Sequence, residues 1–279
     1  MSERLAKIAE GRQAEIFDWG DGRVLRLYRD PAARDLADRE LLALAAVRSA
    51  VSFAPAPHGR MDWEGRPGIL VERLDGRGLL AEIQRRPWRA WELARLTGRV
   101  HAGVNAVRAP AELPELRKEI RRRIEGVDQI PGELRAAALE ELDRLADGDA
   151  LCHGDFHPDN VLLCRAGPAV IDWPWATRGD PCGDFARTAL MMRVGAIPPG
   201  TPALIRWFHW TGRGLFLRAY AAGYEETMRY DPEAVRRWQF VRAVDRFADR
   251  IPEERPPLLR AAERLRCSLA RSARPIAAR

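Results

Sequence analysis

A chain of 279 residues, 46% hydrophobic and 31% charged, has apolar surface for a sizeable core and length for two lobes, which excludes a disordered chain, a collagenous one and a small disulfide scaffold. Its net charge of +6 does not argue for nucleic acid, because all the basic residues but Lys7 and Lys118 are arginines, spread among acids except at Arg121-Arg122-Arg123. No apolar run approaches the ~20 residues of a membrane-spanning helix, no secretory pattern opens the chain, and Cys152, Cys164, Cys182 and Cys267 lack CxxC spacing; the expectation is a cytoplasmic protein with reduced thiols and no membrane or nucleic-acid partner.

The first third reads as strands and turns. Ile16–Trp19 and Val24–Tyr28 flank Gly20-Asp21-Gly22, a hairpin signature of β-favouring residues around an Asp-Gly turn. Before it, the segment from Glu10 to Glu15 is a turn with one glycine, Gly11. After Asp30-Pro31, Leu36, Glu40, Leu44 and Val47 recur at helical spacing, and Pro55 and Pro57 end that helix. Gly59–Trp63 and Gly68–Glu72 form a second strand-turn-strand, and Leu74-Asp75-Gly76 reads as a connector. Helices are predicted over residues 88–107, 115–124 and 132–146, extended chain over 151–173, and helices again past Pro202. Strands first and helices later predict an α+β protein with a β-rich lobe, 1–74, and a larger helical lobe, 75–279.

The densest chemical signal is His153-Gly154-Asp155-Phe156-His157-Pro158-Asp159-Asn160, followed by Val161-Leu162-Leu163-Cys164, a turn, and Ala169-Val170-Ile171-Asp172-Trp173. A polar loop, two short apolar strands and a carboxylate at the end of the second strand bring Asn160 and Asp172 to the open end of one hairpin, with Asp155 in the same loop. Two carboxylates and an amide there suit a hard cation such as Mg²⁺, leaving one carboxylate to orient a hydroxyl and accept its proton. Phosphoryl transfer needs those parts.

The five-residue step from Asp155 to Asn160 equals that in the protein-kinase catalytic loop. The segment from His153 to Trp173 closely resembles the aminoglycoside phosphotransferase family, a branch of the kinase-like fold that includes choline, homoserine and macrolide kinases. Gly179-Asp180-Pro181-Cys182-Gly183-Asp184-Phe185-Ala186 is similar to a further segment of that family. The resemblance implies a bilobal protein-kinase-like fold and ATP-dependent transfer of the γ-phosphoryl group to a hydroxyl of a small molecule. It implies Asp155 as the base, and Asn160 and Asp172 as ligands of Mg²⁺. Nucleotide contacts are implied at Gly11 in the covering loop, at Val24 and Arg26 on one face of a strand, at Glu40 as the acid paired with that cation, and at Glu72, Arg73 and Leu74 as the hinge that bonds adenine.

Arg26 stands where the family usually has lysine, and Lys7 on a preceding strand is a candidate second cation. That departure motivates an alternative, a weak or inactive nucleotide-binding pseudokinase acting as a scaffold. A metal hydrolase built on His153 and His157 is a third reading, and surface-turn roles for Asp155, Asn160 and Asp172 a fourth. Several residues read as structural. His153 and His157 brace the loop, His101 is a core histidine, Asp180 and Asp184 cap a helix or brace the loop, and Trp207, Phe208 and Trp210 pack in the core. Arg271–Arg279 reads as a solvated tail. The acceptor is unread, although Asp180, Glu225, Glu226 and Asp245 are candidate acids for a cationic amino sugar if they face the cleft.

Overall fold

Strands come first in the chain. Lys7–Glu10 (β1), Ala14–Gly20 (β2), Arg23–Tyr28 (β3), Pro57–Arg60 (β4) and Gly68–Glu72 (β5) form an antiparallel sheet in the order β1-β2-β3-β5-β4. The tight β2–β3 connection has Gly20, Asp21 and Gly22 all at positive φ, the backbone that the Asp-Gly pattern predicts. The structure is a computed structural model describing residues 5–51, 54–195 and 203–272, the side chains of 203–211 and 272 excepted. The predicted packing of Trp207, Phe208 and Trp210 therefore lies outside the described residues, as does residues 273–279 of the predicted tail.

Period two along β3 divides its side chains. Leu25 and Leu27 face a small cluster with Leu70, against which Phe17, Trp19, Met61 and Trp63 pack. Val24, Arg26 and Tyr28 face the other way, toward the helix Arg34–Ala50 (α1), whose Leu44 and Val47 join Val24, Tyr28, Ile69 and Val71 in a core. That core continues without a break into Val100, Phe156, Val161 and Trp173 of the later chain. The connector at Leu74-Asp75 leads into a short strand, Gly76–Gly78 (β6), which pairs with Val161–Cys164 (β8), itself hairpinned to Gly167–Val170 (β9). Ala150–Cys152 (β7) pairs with Thr177–Gly179 (β10).

The helical part comprises Leu79–Arg85 (α2), Ala90–Asn105 (α3), Leu116–Glu125 (α4), Gly132–Arg144 (α5), Pro181–Val194 (α6), Ala203–Glu225 (α7), Pro232–Asp245 (α8) and Arg255–Ser272 (α9). The helix predicted from residue 88 begins as a 3₁₀ turn, Pro87–Arg89, before α3. Proline lacks an N–H and suits such a first turn. Leu116, Ile120 and Ile124 of α4 recur at helical spacing and meet Leu142, Trp238, Val241, Val244 and Leu258 in a second core. Among the described residues no helix is long and apolar enough to cross a membrane.

The backbones of α3 and α7 touch. A Cβ on Gly98 would lie 2.0 Å from Tyr220 O, and one on Gly223 would lie 2.0 Å from Arg95 O. Gly98→Ala and Gly223→Ala force the two helices apart, and each should cost about 1–3 kcal/mol, read as a lower urea midpoint at unchanged slope. Gly132→Ala, whose Cβ meets nothing within 4 Å, is the control; it should leave the midpoint unchanged or raise it slightly.

Candidate functional site

β7 ends at Cys152 and releases the loop that carries the predicted site. Gly154 has φ +79, and a Cβ there would lie 2.2 Å from Trp175 O, so only glycine fits. His153 is buried, which lowers its pKa. Its Nδ1 accepts from Asp155 N at 3.2 Å and its Nε2 faces Ile171 O at 3.1 Å. A neutral ring with the proton on Nε2 satisfies both contacts, and the ring packs by Phe156 and Trp173. His153 thus braces the loop.

Beneath the loop sits the fully buried carboxylate of Asp184, on α6. It accepts from His153 N at 2.7 Å, Gly154 N at 2.9 Å and Asn105 Nδ2 at 3.1 Å, and His101 Nε2 is 2.9 Å away. Burial alone would raise its pKa, but His101, His153 and the Gly154 amide hold it well below the usual carboxylate range. His101 is buried with both ring nitrogens partnered, Nδ1 by Tyr220 OH at 2.6 Å, and it stacks on Phe156 at 4.1 Å. The two predicted structural aspartates divide the work. Asp184 braces the loop, while Asp180 caps α6 through Cys182 N at 2.8 Å.

The β8–β9 ribbon brings its two ends together. Val161 pairs with Val170, and Ile171 N donates to Asn160 O at 2.9 Å, so Asp172 begins beside Asn160. Asn160 Nδ2 donates to Asp155 O at 3.0 Å, which ties the amide to the loop and leaves its oxygen as a lone-pair donor. Asp172 takes a left-handed backbone, φ +71, a costly conformation for a residue with a Cβ. Its carboxylate meets Arg26, whose Nη2 is 2.5 Å from Oδ1.

Arg26 also reaches Glu40, its Nε 2.8 Å from Oε2. Glu40 is 2% exposed; it accepts from Tyr28 OH and, at 3.2 Å, from Trp173 N. Burial raises the Glu40 pKa, Arg26 opposes that and Asp172 adds to it. Burial also works against the charge on Arg26, but Glu40 and Asp172 outweigh it and raise its pKa. Tyr28 was not singled out in the sequence, although its period-two relation to Val24 and Arg26 was a usable signal.

The remaining predicted residues lie around this centre. Val24 is buried on the Arg26 face of β3. Gly11 sits in the exposed β1–β2 turn, its N–H on Ala14 O at 2.8 Å. At the end of β5, Glu72 N donates to Ala56 O at 2.9 Å and Glu72 Oε2 accepts from Ala56 N at 3.0 Å. Arg73 N donates to Gly22 O at 2.8 Å, and the Arg73 side chain binds Asp18. Leu74 follows, half-buried, before β6. Lys7 pairs across from Phe17, which pairs with Leu25. It therefore stands on the face opposite Arg26, and its ammonium binds Glu10 and Glu15.

Asp155 is flanked by two side chains, Arg187 with Nη2 3.3 Å from Oδ1, and His157 with Nε2 3.7 Å from Oδ2. Burial would raise its pKa, but the His157 hydrogen bond and the Arg187 charge hold it well below the usual range. Sequence reasoning missed Arg187. It lies three residues after Asp184 on α6, so both share the helix face beneath the loop. Arg187 Nη2 is also 3.2 Å from Asp249, and Arg123 bridges Asp245 and Asp249 at 2.5 and 2.6 Å. Of the candidate acids for a cationic acceptor, Asp245 is buried in this cluster, Asp180 also accepts from Trp238 Nε1 at 2.7 Å, Glu226 is held by Arg95 and Arg99, and Glu225 is exposed. Among the described residues no three His, Cys, Asp or Glu side chains converge as a transition-metal hydrolase would need.

The sequence matches the profile of the phosphotransferase enzyme family over residues 4–238. Among curated proteins none matches. Solved structures share the fold at low identity. The GDP and kanamycin complex of APH(2")-IIia is 18% identical with a TM-score of 0.59, covering 95% of this chain and 94% of that one. Amicoumacin kinase hAmiN, in complex with AMP-PNP, Ca2+ and Ami, is 15% identical with a TM-score of 0.62, covering 95% and 88%. A thermostable mutant of aminoglycoside phosphotransferase APH(4)-Ia, apo form, is 19% identical with a TM-score of 0.61, covering 97% and 95%.

Asp184→Asn keeps the shape and removes the charge that four donors face, and should cost about 3–5 kcal/mol. Because the folded pKa is depressed, the stabilisation is fully present above the unfolded value of ~3.9 and is lost as pH falls toward the folded one. Urea midpoints of the two proteins should differ by a constant amount between about pH 6 and 8, and the gap should narrow progressively as pH falls below about 4.

Proposed function

The chain belongs to the phosphotransferase enzyme family, and we propose that it moves the γ-phosphoryl group of ATP to a hydroxyl of a small molecule, with Asp155 as the base. One observation carries this reading. Asn160 Nδ2 bonds Asp155 O within one loop, Ile171 N bonds Asn160 O so that Asp172 leaves the adjoining ribbon beside Asn160, and Arg26 binds Asp172 from the N-terminal sheet.

Adenine would lie against Val24 at the Glu72–Leu74 connector, with the phosphates toward Arg26 and the Gly11 turn. Asn160 Oδ1 and the Asp172 carboxylate fit Mg²⁺, a hard cation that takes few protein oxygens and completes its shell with phosphate and water. When bound there, Mg²⁺ supplies neutralisation of the phosphate charge. Glu40 and Tyr28 hold Arg26 on the inner face of β3, so its guanidinium meets incoming phosphate in a fixed orientation.

Asp155 is ionised at neutral pH, since its pKa is depressed. It accepts a hydrogen bond from the acceptor hydroxyl and aims the oxygen lone pair at phosphorus. So acidic a carboxylate takes the proton late, as the new O–P bond forms, which suits a loose transition state. Arg187 steadies the carboxylate from α6.

The pseudokinase reading stays in play on one observation, the Arg26 guanidinium bound to both Glu40 and Asp172. Arginine is bulkier than lysine and less easily exchanged at such a site. Mg-dependent ATP binding with no acceptor raising ADP release would favour it. For the enzyme, Asp155→Ala should cut ADP release about 10²–10⁴-fold with ATP affinity by calorimetry changed less than about threefold. Asp172→Ala should instead raise the Mg²⁺ concentration needed for nucleotide binding. Unchanged turnover in Asp155→Ala defeats the assignment.

A further inference from the structure

We propose that the acceptor is an anionic hydroxyl compound, and that a carboxylate or phosphate oxygen of it enters an arginine-lined cavity beside Asp155. The proposal deepens the reading of Asp155 as the base and rests on it. The cavity lies between α4, Gly154, the segment after Asp172, and the helices α6 and α8. Its free volume of about 20 Å³ admits one oxygen-sized group.

The lining has donors to spare. Arg187 Nε, Arg242 Nη2 and Thr177 Oγ1 are buried without a hydrogen-bond partner. Their residues line this cavity and are 6%, 4% and 2% exposed. An unmet buried donor costs about 1–3 kcal/mol, so three around one cavity call for an atom that accepts. Among the described residues no buried carboxylate oxygen is left unmet in the same way.

The lining itself carries one acid, Glu119, which Arg122 binds at 2.7 Å, and the acids behind the lining are likewise paired. Asp245 is bound by Arg123 at 2.5 Å and Arg242 at 3.0 Å, with Arg187 at 3.6 Å. Asp249 is bound by Arg123 at 2.6 Å, Arg246 at 2.9 Å and Arg187 at 3.2 Å. An ammonium group entering here would meet donors, whereas an oxyanion meets their complement. Burial and the neighbouring Arg187 weigh against the charge of Arg242 more than Asp245 and Asp184 support it, and an anion in the cavity would restore the balance.

Arg187 links the cavity to the chemistry. Its Nη2 touches Asp155 at 3.3 Å, and its Nε is one of the unmet donors. A ligand with its oxyanion on Nε and its hydroxyl on Asp155 spans one guanidinium, the separation of the two groups in a small hydroxy acid or hydroxyalkyl phosphate. The three-carbon set of glycerol, glycerate, glycerol 3-phosphate and 3-aminopropane-1,2-diol keeps the vicinal diol and varies the group on the third carbon from neutral to anionic to cationic.

Thermal shift and calorimetry in the presence of Mg·ADP read binding, and ADP release with ATP reads turnover. Glycerate or glycerol 3-phosphate should bind at least about tenfold tighter than glycerol, and the amine no tighter than glycerol; the two anions separate a carboxylate site from a phosphate site. Thr177→Val, near-isosteric and removing an unmet hydroxyl, should fold and narrow the gap between anion and glycerol severalfold. Equal binding across the set, tightest binding of the amine, or a gap unchanged in Thr177→Val overturns the proposal. Those results leave the Asp155→Ala experiment untouched. Anion binding without turnover, with Asp155→Ala equal to wild type in ATP hydrolysis, would instead defeat the catalytic reading while the anion site stands.

Discussion

One buried carboxylate holds the loop from His153 to Asn160 in register. Asp184 lies in the core between α3 and α6, where an unpaired charge would be prohibitive. Its oxygens instead collect the amides of His153 and Gly154 together with Asn105 and His101. Two of those four are backbone groups of the loop that carries Asp155, so the docking of the helices fixes the shape of that loop. The positive φ of Gly154 and the close approach of Trp175 follow from that anchoring. Asp155 then has one direction in which to point.

A second buried group joins the sheet to the loop. Arg26 leaves β3 on the face that packs on α1, and the apolar cluster on that face already runs from Val24 and Leu44 through to Phe156 and Trp173. Packing therefore brings Glu40, Tyr28 and the Asp172–Trp173 corner within reach of one guanidinium. Arginine can bond two carboxylates at once through its planar fork, and here it does so. This cluster is assembled from distant parts of the chain because a continuous core holds those parts together.

The far side of Asp155 has a different character. Arg123, Arg187, Arg242 and Arg246 neutralise Asp245 and Asp249 from α4, α6, α8 and the 3₁₀ turn that follows α8. A pocket's charge is local, so the chain's overall positive balance says little about it. Arg187 Nε, Arg242 Nη2 and Thr177 Oγ1 are buried there without a hydrogen-bond partner, and their residues line one small cavity. The solved relatives bound to kanamycin or hygromycin B share the fold, which by itself does not set the acceptor.

The sequence by itself determined the parts whose physics is local. The loop from His153, the ribbon from Val161 to Val170 and the terminal Asp172 lie within some twenty residues, and a hairpin has only one way to bring its ends together. Glu40 was legible as an inward acid from helical spacing, as the β2–β3 turn was from Asp-Gly chemistry. Only the tertiary structure decided the partners of those groups. Which acid braces the loop and which caps α6, the clasp of Tyr28 on Glu40, the turning of Lys7 to the far face, and the reach of Arg187 to both Asp155 and Asp249 depend on how helices dock. Docking follows from summed apolar burial and close backbone approach, as at Gly98 and Gly223, and no short window of residues carries that sum.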